Sequence, residues 1–390
     1  MILIIILLLF LSCVPAKEIR RESIKGVEPY VRILILNNPK SFTISSDFET
    51  IVKFKDCKGE FKGELKVLTS PLKIFIDKEN SLKEPSLPVF FEPSNKGLIY
   101  LNGKGFRGKF GLFRYGDNIY LINFVPMESY LKGVVPKEMG KLSSQYYEAL
   151  KAQAIAARTY ALKNLNYSAP YDLLPTEAHQ VYGSIDDEYE LSTRAIDETR
   201  GLVLTYNGEV IDARFSSTCG GRTENNEDVW DTKPLPYLRS VYDGRYGEPF
   251  CKDSPHFEWE VHFKKEDFFN VAKMRIREMF KKDINEIDFI RVSEFTRSGR
   301  VRTIEIKTDK GVFKVERDRI RSLFPYEGRS LKSTLFTIQI KGDYIIVKGN
   351  GYGHGVGMCQ WGAIGMAKSG FSCKDILRHY YRNTRIEKFW

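Results

Sequence analysis

Short apolar stretches alternate with polar residues and turn residues over positions 30–125. This pattern predicts β-strands at 31–36, 43–45 and 106–113, and another strand at 119–124 after a turn. This part of the chain carries no convincing chemical motif. We predict a β-rich N-terminal region over residues 17–104 and a second domain over residues 105–390.

The clearest helical period covers residues 144–165, where apolar side chains recur at spacings of three and four. They are Tyr147, Leu150, Ala154, Ala157 and Ala161. The abundance of alanine favours a helix and permits close packing against its neighbours. We expect this helix to be central to the second domain.

Two shorter elements follow this helix. Ser192 is expected to cap a helix that stops at Gly201. The Asn-Gly pair at 207–208 then predicts a hairpin between strands at 202–205 and 210–216.

The pattern changes again at residues 258–330. A strand at 259–263 precedes a helix, and two strands follow at 301–307 and 312–316. The residues expected on the inner face of the helix are Phe268, Ala272, Ile276 and Met279. We interpret this segment as a small inserted α+β subdomain. The whole pattern predicts an α+β fold with mixed sheets, an alanine-rich central helix and this insertion.

The long apolar run at residues 2–11 falls short of the roughly 20 residues that a membrane helix needs. Its position is typical of a signal-peptide core, and small residues predict cleavage after Ala16, which gives a signal peptide of residues 1–16. Residues 11–13 loosely resemble a lipoprotein box, so a lipid anchor through Cys13 is the alternative. We expect an exported protein of the cell envelope or periplasm.

The charge and the motif content narrow the functional classes. Lys and Arg number 60 against 50 Asp and Glu, and the net charge of +10 suits an anionic partner. The chain has no HExxH, GxSxG or Walker motif, which argues against zincins, α/β-hydrolases and P-loop enzymes. A GxGxxG match at 103–108 precedes a predicted strand, whereas dinucleotide binding needs a helix there.

Three stretches stand out. They are VPMESYLKGVVPKEMG (125–140), which leads into ALKAQAIAARTYA (149–161); FSSTCGGRTE (215–224), which leads to EDVW (227–230); and GYGHGVGMCQWGA (351–363). In this order, together with HQVYG (179–183) and ILRHYY (376–381), they make the chain resemble the stage II sporulation protein D family, also called SpoIID/LytB. The resemblance covers roughly residues 105–390. It sets the predicted start of the second domain and implies that this domain is the catalytic one.

This resemblance implies a lytic transglycosylase that cleaves the MurNAc–GlcNAc bond of peptidoglycan and leaves 1,6-anhydro-MurNAc ends. Characterised members prefer glycan strands without stem peptides. A second branch was described as enhancers of cell-wall amidases, so a non-catalytic, glycan-binding amidase enhancer is the alternative function. The partners we expect are glycan strands and a cell-wall amidase, with no nucleic acid.

The reaction can proceed with a single carboxylic acid. That acid protonates the glycosidic oxygen, and its carboxylate then removes the proton of the sugar 6-hydroxyl. Such an acid must stay protonated near neutral pH, which burial favours. Glu138, in a Pro-Lys-Glu loop, occupies the position of the family's catalytic glutamate. Glu128 is the competing candidate, which we interpret as a structural acid near Tyr130.

Six further residues are candidates for substrate binding: Gln153, Arg158, Tyr182, His354, Gln360 and Trp361. Arg158 either holds the Glu138 loop by an ion pair or contacts the N-acetyl or lactyl group of the sugar. His354 orients the acid or binds substrate. Trp361 either stacks on a sugar face or packs in the core.

Cys219 and Cys251 are a disulfide candidate in an oxidising compartment, with free buried thiols and a metal site as the alternatives. Some relatives hold zinc through Cys and His residues. No cysteine follows His179 closely in this sequence, so that ligand set is not visible here. We expect no metal ligands and no cofactor, with zinc as the alternative.

Two other functions remain open. A structural envelope protein would have no affinity for glycan strands. An ordinary muramidase would leave reducing ends instead of anhydro ends.

Overall fold

The computed structural model describes residues 26–55, 57–78, 80–82 and 85–390. The predicted signal peptide and Cys13 lie outside the described residues. None of the helices in the described part is both long and apolar enough to span a membrane. The chain forms two compact units. The first takes in the described residues from 26 to 130, 164–186 and 388–390, and the second takes in residues 131–163 and 187–387.

The first unit contains eleven strands in its described part. They are β1 (Tyr30–Asn37), β2 (Ser41–Ser46), β3 (Glu49–Phe54), β4 (Cys57–Lys62), β5 (Leu65–Thr69), β6 (Leu72–Phe75), β7 (Val89–Pro93), β8 (Ile99–Leu101), β9 (Lys104–Phe106), β10 (Lys109–Tyr115) and β11 (Asn118–Pro126).

These strands form two antiparallel sheets with the orders β1-β11-β10-β7-β3-β4 and β6-β5-β2-β8-β9. The inward residues of both sheets build one hydrophobic core. Phe42 of β2 and Phe91 of β7 meet across it edge to face, with ring centroids 6.2 Å apart. The predicted boundary at residue 104 does not coincide with the unit boundary, since β10 and β11 belong to this unit.

The helix α1 (Met127–Met139) follows β11 directly and passes from the first unit to the second. The second unit contains the other helices, which are α2 (Tyr147–Lys163), α3 (Glu190–Glu198), α4 (Asn226–Val229), α5 (Lys265–Phe280), α6 (Gln360–Lys368) and α7 (Cys373–Tyr380). Its strands are β12 (Leu202–Tyr206), β13 (Glu209–Val210), β14 (Phe215–Ser216), β15 (Gly244–Arg245), β16 (Glu248–Pro249), β17 (Glu258–Lys264), β18 (Ile287–Phe295), β19 (Val301–Thr308), β20 (Gly311–Glu316), β21 (Phe336–Lys341), β22 (Tyr344–Asn350), β23 (Met358–Cys359) and β24 (Arg385–Lys388).

The predicted central helix is α2. It is buried on all sides from Leu150 to Leu162 apart from Lys151, and it contacts α3, α6, α7 and β12. A helix that is enclosed all round belongs to the interior of a domain. The α+β class with mixed sheets is confirmed.

The segment around α5 has its own hydrophobic cluster, which runs from Trp259 to Val347. Helix α5 buries Phe268, Ala272 and Ile276, as its spacing predicts. Two three-stranded sheets take part, β17-β22-β21 and β18-β19-β20. The cluster extends beyond residue 330 because β21 and β22 complete the first of these sheets.

Two local predictions were wrong. Ser192 lies inside α3, where its hydroxyl donates to the Tyr189 carbonyl at 2.7 Å, and Tyr189 takes the cap position. The Asn-Gly turn does join β12 to β13, but β13 ends at Val210. Residues 215–216 pair in parallel with β23 instead, which brings two of the sequence motifs together.

Candidate active site

Glu138 lies in the last turn of α1, and Gly140 ends that helix. Gly140 has φ +72°, and its N–H donates to the Pro136 carbonyl at 3.0 Å. This left-handed cap is typical of glycine. The predicted loop at this position was wrong, because Pro136 is accommodated within the helix and removes only one backbone donor. The half-buried Glu138 side chain is therefore carried by a helix end.

Gln360 is the first residue of α6, and its side chain reaches Glu138. The Nε2 atom of Gln360 donates to Oε2 of Glu138 at 3.1 Å. The start of α6 is held in place by Cys359, whose Sγ accepts the N–H of Gly362 at 3.2 Å. A carboxyl oxygen can accept an amide N–H in its protonated or its ionised form. The contact can therefore orient the Glu138 carboxyl group both when it is protonated and when it is ionised. A group that acts as acid and then as base passes through both forms.

Arg214 lies between two aromatic rings in the same unit. Its guanidinium carbon is 5.2 Å from the ring centroid of Tyr160 and 5.0 Å from that of Trp230. Its Nε donates to Asp212 at 2.8 Å. Burial raises the pKa of Tyr160; Arg214 opposes this rise, and the charges of Asp212 and Glu138 add to it. Tyr160 is thus a neutral phenol, and it lies close enough to Glu138 for the charge of that carboxylate to affect its pKa.

His354 is a neutral imidazole at physiological pH. Burial lowers its pKa to about 3, and the positive charge of Arg214 contributes to this. Its Nδ1 accepts the N–H of Val356 at 3.0 Å, and its ring centroid is 4.9 Å from that of Trp230. This geometry holds the glycine-rich segment in place and does not favour His354 as a proton donor.

The alternating glycines of residues 351–357 reflect close packing. Gly357 has φ +73°, and a Cβ there would overlap the carbonyl of Arg214. Gly355 has φ +76°, and a Cβ there would overlap the guanidinium of Arg300. The glycine-rich motif is therefore required by the backbone and side chains beside it.

Comparison with known proteins identifies the family. The model of the Stage II sporulation protein family, SpoIID, matches residues 115–206. The Stage II sporulation protein D of Bacillus subtilis is 37% identical over 283 residues, which cover 68% of this chain and 75% of that protein. The chain belongs to the SpoIID family.

Two further relatives extend the comparison. An uncharacterized protein of Brachyspira hyodysenteriae is 33% identical over 346 residues, which cover 85% of this chain and 87% of that protein. The amidase enhancer of B. subtilis is 30% identical over 292 residues, 66% of this chain and 40% of that protein. A domain of unknown function (DUF8618) matches residues 247–357, which include the α5 segment of this SpoIID chain.

The structure does not bring every candidate of the SpoIID motifs to the surface near Glu138. Gln153 and Arg158 are fully buried in α2. Arg158 donates to the carbonyls of Leu202 at 3.2 Å and Ile196 at 3.3 Å, which joins α2 to β12 and α3. A sugar cannot contact either side chain in this arrangement. Arg158 therefore has a structural position, but these carbonyl bonds differ from the predicted ion pair with the Glu138 loop.

Tyr182 and Glu128 belong to the first unit. The Tyr182 hydroxyl donates to Asn123 at 2.9 Å, and its ring lies 5.2 Å from that of Tyr130. Glu128 is 3% exposed and accepts the indole N–H of Trp390 at 3.0 Å. Its burial and this bond agree with a structural role for Glu128.

Trp361 is partly exposed, and its backbone N–H donates to the Ser217 carbonyl at 3.0 Å. This bond continues the parallel pairing of β14 with β23, in which Ser216 stands opposite Cys359. The position leaves part of the indole accessible, as stacking on a sugar requires.

Cys219 and Cys251 are close but not bonded. Their sulfur atoms lie 3.8 Å apart and both thiols are free, whereas a disulfide bond is about 2.05 Å long. Cys219 is also 3.0 Å from Asp243, and Cys359 completes a fully buried group of four. The disulfide remains a prediction, but in this structure these two sulfurs belong to a larger cluster.

Sequence reasoning missed three of the groups that surround Glu138 and His354, namely Tyr160, Arg214 and Trp230. Tyr160 and Trp230 stand within quoted motifs, so the motifs held a signal for them. Arg214 directly precedes the motif at 215–224 and gives no signal of its own. Its position between the two rings appears only when the chain is folded.

Proposed function

We propose that this protein is a peptidoglycan lytic transglycosylase with Glu138 as its single acid and base. The observation that carries this proposal is the half-buried carboxyl group of Glu138, oriented by the Gln360 amide at 3.1 Å. Membership of the SpoIID family and likeness to a protein named amidase enhancer support a role at the cell wall.

In the first step, protonated Glu138 donates its proton to the glycosidic oxygen between MurNAc and GlcNAc. The bond between that oxygen and C1 of MurNAc breaks, and GlcNAc leaves with a free 4-hydroxyl. In the second step, the 6-hydroxyl oxygen of MurNAc bonds to C1 while its proton passes to the Glu138 carboxylate. The acid is regenerated, no water is consumed, and the product carries a 1,6-anhydro-MurNAc end.

Neighbouring side chains support this use of one acid. Hydrolytic glycosidases need a second carboxyl group as nucleophile or base. The nearby Asp212 is engaged by Arg214 at 2.8 Å, which favours a structural use of that carboxylate. Tyr160 supplies a neutral phenol near Glu138, and its pKa is raised by burial first and by the nearby carboxylates after that. The Tyr160 side chain is only 4% exposed, so we assign it to the neutral surroundings of Glu138 and not to contact with the sugar.

The location of the protein forms part of the proposal. An exported form, anchored through Cys13 or free after cleavage at Ala16, would meet the cell wall directly. A net charge of +10 favours association with an anionic envelope. Salt screens this attraction, so it acts only over about 8–10 Å.

The test uses glycan strands stripped of stem peptides, with product ends read by mass spectrometry. The wild type should release anhydro-muramyl ends, and Glu138→Gln should release none while keeping its fold. Glu190→Gln, which changes an exposed carboxylate at the start of α3, is the matched control and should retain activity. Equal cleavage by Glu138→Gln would mean that another group is the acid.

The second candidate is a glycan-binding enhancer of an amidase, which the 30% identity to the amidase enhancer favours. It predicts binding of glycan strands without cleavage, and stimulation of a cell-wall amidase that Glu138→Gln leaves intact. Reducing ends in place of anhydro ends would instead indicate a muramidase. Absence of both binding and cleavage would favour a structural protein.

A further inference from the structure

Four potential metal ligands meet in the interior of the second unit. Cys219 follows β14, Asp243 precedes β15, Cys251 lies in a 3₁₀ turn after β16, and Cys359 ends β23. One ligand atom from each lies within 4.8 Å of the others, and all four residues are buried. Three sulfurs and one carboxylate oxygen form a donor set that suits zinc, whereas magnesium and calcium prefer oxygen alone.

The spacing of the sulfur atoms matches a tetrahedral site. With zinc–sulfur bonds of 2.3 Å, two sulfurs on a tetrahedron lie about 3.8 Å apart. The Cys219 and Cys251 sulfurs are 3.8 Å apart. The Cys219 sulfur and Asp243 Oδ2 are 3.0 Å apart, as in a thiol–carboxylate hydrogen bond, against about 3.6 Å on a zinc tetrahedron. A shift of about half an ångström at Asp243 would bring this oxygen into a tetrahedral site.

Groups around the cluster hold its members in the required orientations. The Cys359 sulfur accepts backbone N–H groups from Cys219 and Gly362, each at 3.2 Å. The other oxygen of Asp243 accepts the Tyr380 hydroxyl at 2.5 Å. Outer contacts of this kind fix the ligands of metal sites. Gly362 is needed there, because a Cβ would overlap Tyr380 and Asp243.

A buried cation lies beside the cluster. Arg300 is 1% exposed, and its Nη2 donates to the Cys219 carbonyl at 2.6 Å. Its Nε and Nη1 have no hydrogen-bond partner among the residues that the structure describes. Three thiolates and a carboxylate around a divalent ion carry a net charge of −2, which a buried guanidinium offsets in part. The buried Glu224 carboxylate also favours the charge of Arg300, so the cluster would be one of two negative groups that compensate this buried cation.

We propose that Cys219, Asp243, Cys251 and Cys359 bind one zinc ion in a closed, four-coordinate structural site. All four positions are filled by protein, which is the mark of a structural rather than a catalytic zinc. Because Cys359 directly precedes Gln360, the ion would fix the start of α6 and so the amide that contacts Glu138. The metal site itself does not depend on the proposed activity.

The test is metal analysis of the full-length protein, purified with a thiol reductant and without chelators. We expect about one zinc per chain by mass spectrometry. Cys359→Ser should lose it, whereas Cys57→Ser and Cys373→Ser, which change cysteines outside the cluster, should retain it. Cobalt added to the zinc-stripped wild type should give the sulfur-to-metal charge-transfer absorption of a tetrahedral thiolate site.

Tyr380→Phe keeps every ligand and tests the outer contact to Asp243. Its zinc affinity should fall by about 10- to 100-fold, as measured by competition with a chelating dye. This variant and the cobalt spectrum keep the proposal testable if Cys359→Ser does not fold. Wild type without stoichiometric zinc and without cobalt uptake would overturn the site, and so would a Cys219–Cys251 disulfide in wild type purified without reductant and without chelator.

Discussion

The Gln360 amide donates to the Glu138 carboxylate at 3.1 Å across 222 residues of sequence. Glu138 ends α1 and Gln360 begins α6, so the contact joins two helix termini. Both helix ends are held by their own caps, Gly140 for α1 and Cys359 for α6. Glu138 and its amide partner therefore meet through two rigid elements, which suits a group that must keep its orientation during a reaction.

This contact predicts that Gln360 acts as a positioning residue for Glu138. Gln360→Ala should lower kcat for anhydro-end formation by about 10- to 100-fold, the equivalent of one hydrogen bond to a charged group. Gln360→Glu places a second carboxyl group beside Glu138 and should raise the pKa of the acid. The basic limb of its rate–pH profile should therefore move to higher pH.

Gln339→Ala, which changes an exposed glutamine of β21, is the control for both variants and should leave kcat unchanged. If Gln360→Ala retains wild-type kcat, or if Gln360→Glu leaves the profile in place, the amide does not orient the acid.

The close approach of Gly357 to Arg214 predicts a steric effect on stability. Gly357→Ala must adopt φ +73° and also push away the Arg214 carbonyl. Gly370→Ala must adopt φ +84° but meets no atom within 4 Å. We expect Gly370→Ala to cost about 1–2 kcal/mol and Gly357→Ala to cost at least about 2 kcal/mol more.

Urea unfolding of the two variants beside the wild type checks this difference. Equal losses in the free energy of unfolding would show that the β23 segment moves away from Arg214 without cost. The comparison isolates the overlap, because both substitutions share the same backbone strain.

Much of the fold follows from local pattern. The three- and four-residue spacing of alanine and larger apolar residues predicts α2, and the same reasoning places Phe268, Ala272 and Ile276 inside α5. Local pattern failed where a partner distant in sequence decides the outcome. Residues 215–216 leave the predicted hairpin because β23 offers them a parallel partner.

In the candidate site, too, local sequence predicts some features, whereas others depend on residues distant in sequence. The motif around Glu138 locates the proposed acid, since the residues of this motif are contiguous in the sequence. Arg158 and Gln153 attract a functional interpretation because they are polar on an apolar helix, yet α2 is enclosed on all sides and buries both. Four separate segments supply the buried cluster of Cys219, Asp243, Cys251 and Cys359. No local spacing in the sequence therefore predicts this cluster.

The depressed pKa of His354 predicts a loss of stability in acid. Its pKa is about 3 in the folded protein, well below the ordinary 6.5 of histidine, because burial disfavours the charged imidazolium. The unfolded chain therefore binds more protons over this range, so the free energy of unfolding falls as the pH drops from about 6.5 towards 3. His354→Gln removes this contribution.

The measurement is the thermal midpoint at pH 7 and at pH 5. Between pH 7 and pH 5, the thermal midpoint of the wild type should fall by more than that of His354→Gln. His262→Gln, which changes an exposed histidine of β17, should behave as the wild type. An equal drop for the wild type and His354→Gln would show that His354 is accessible to protons in the folded state.

The interior of α2 supplies the last prediction. Gln153 is fully buried, and neither its Nε2 nor its Oε1 has a hydrogen-bond partner within the described part of the chain. A buried amide without partners costs about 1–3 kcal/mol, so Gln153→Met, which is similar in volume and apolar, should stabilise the fold by about 1–2 kcal/mol. Gln145→Met, at an exposed glutamine just before α2, should change stability by less than about 0.5 kcal/mol.

Cleavage of stripped glycan strands should be unaffected in both variants, because a side chain enclosed by α2 and its neighbours does not meet the substrate. If Gln153→Met gains stability but loses cleavage, the amide is reached by the glycan in a more open state, and the orphaned amide then has a function in binding.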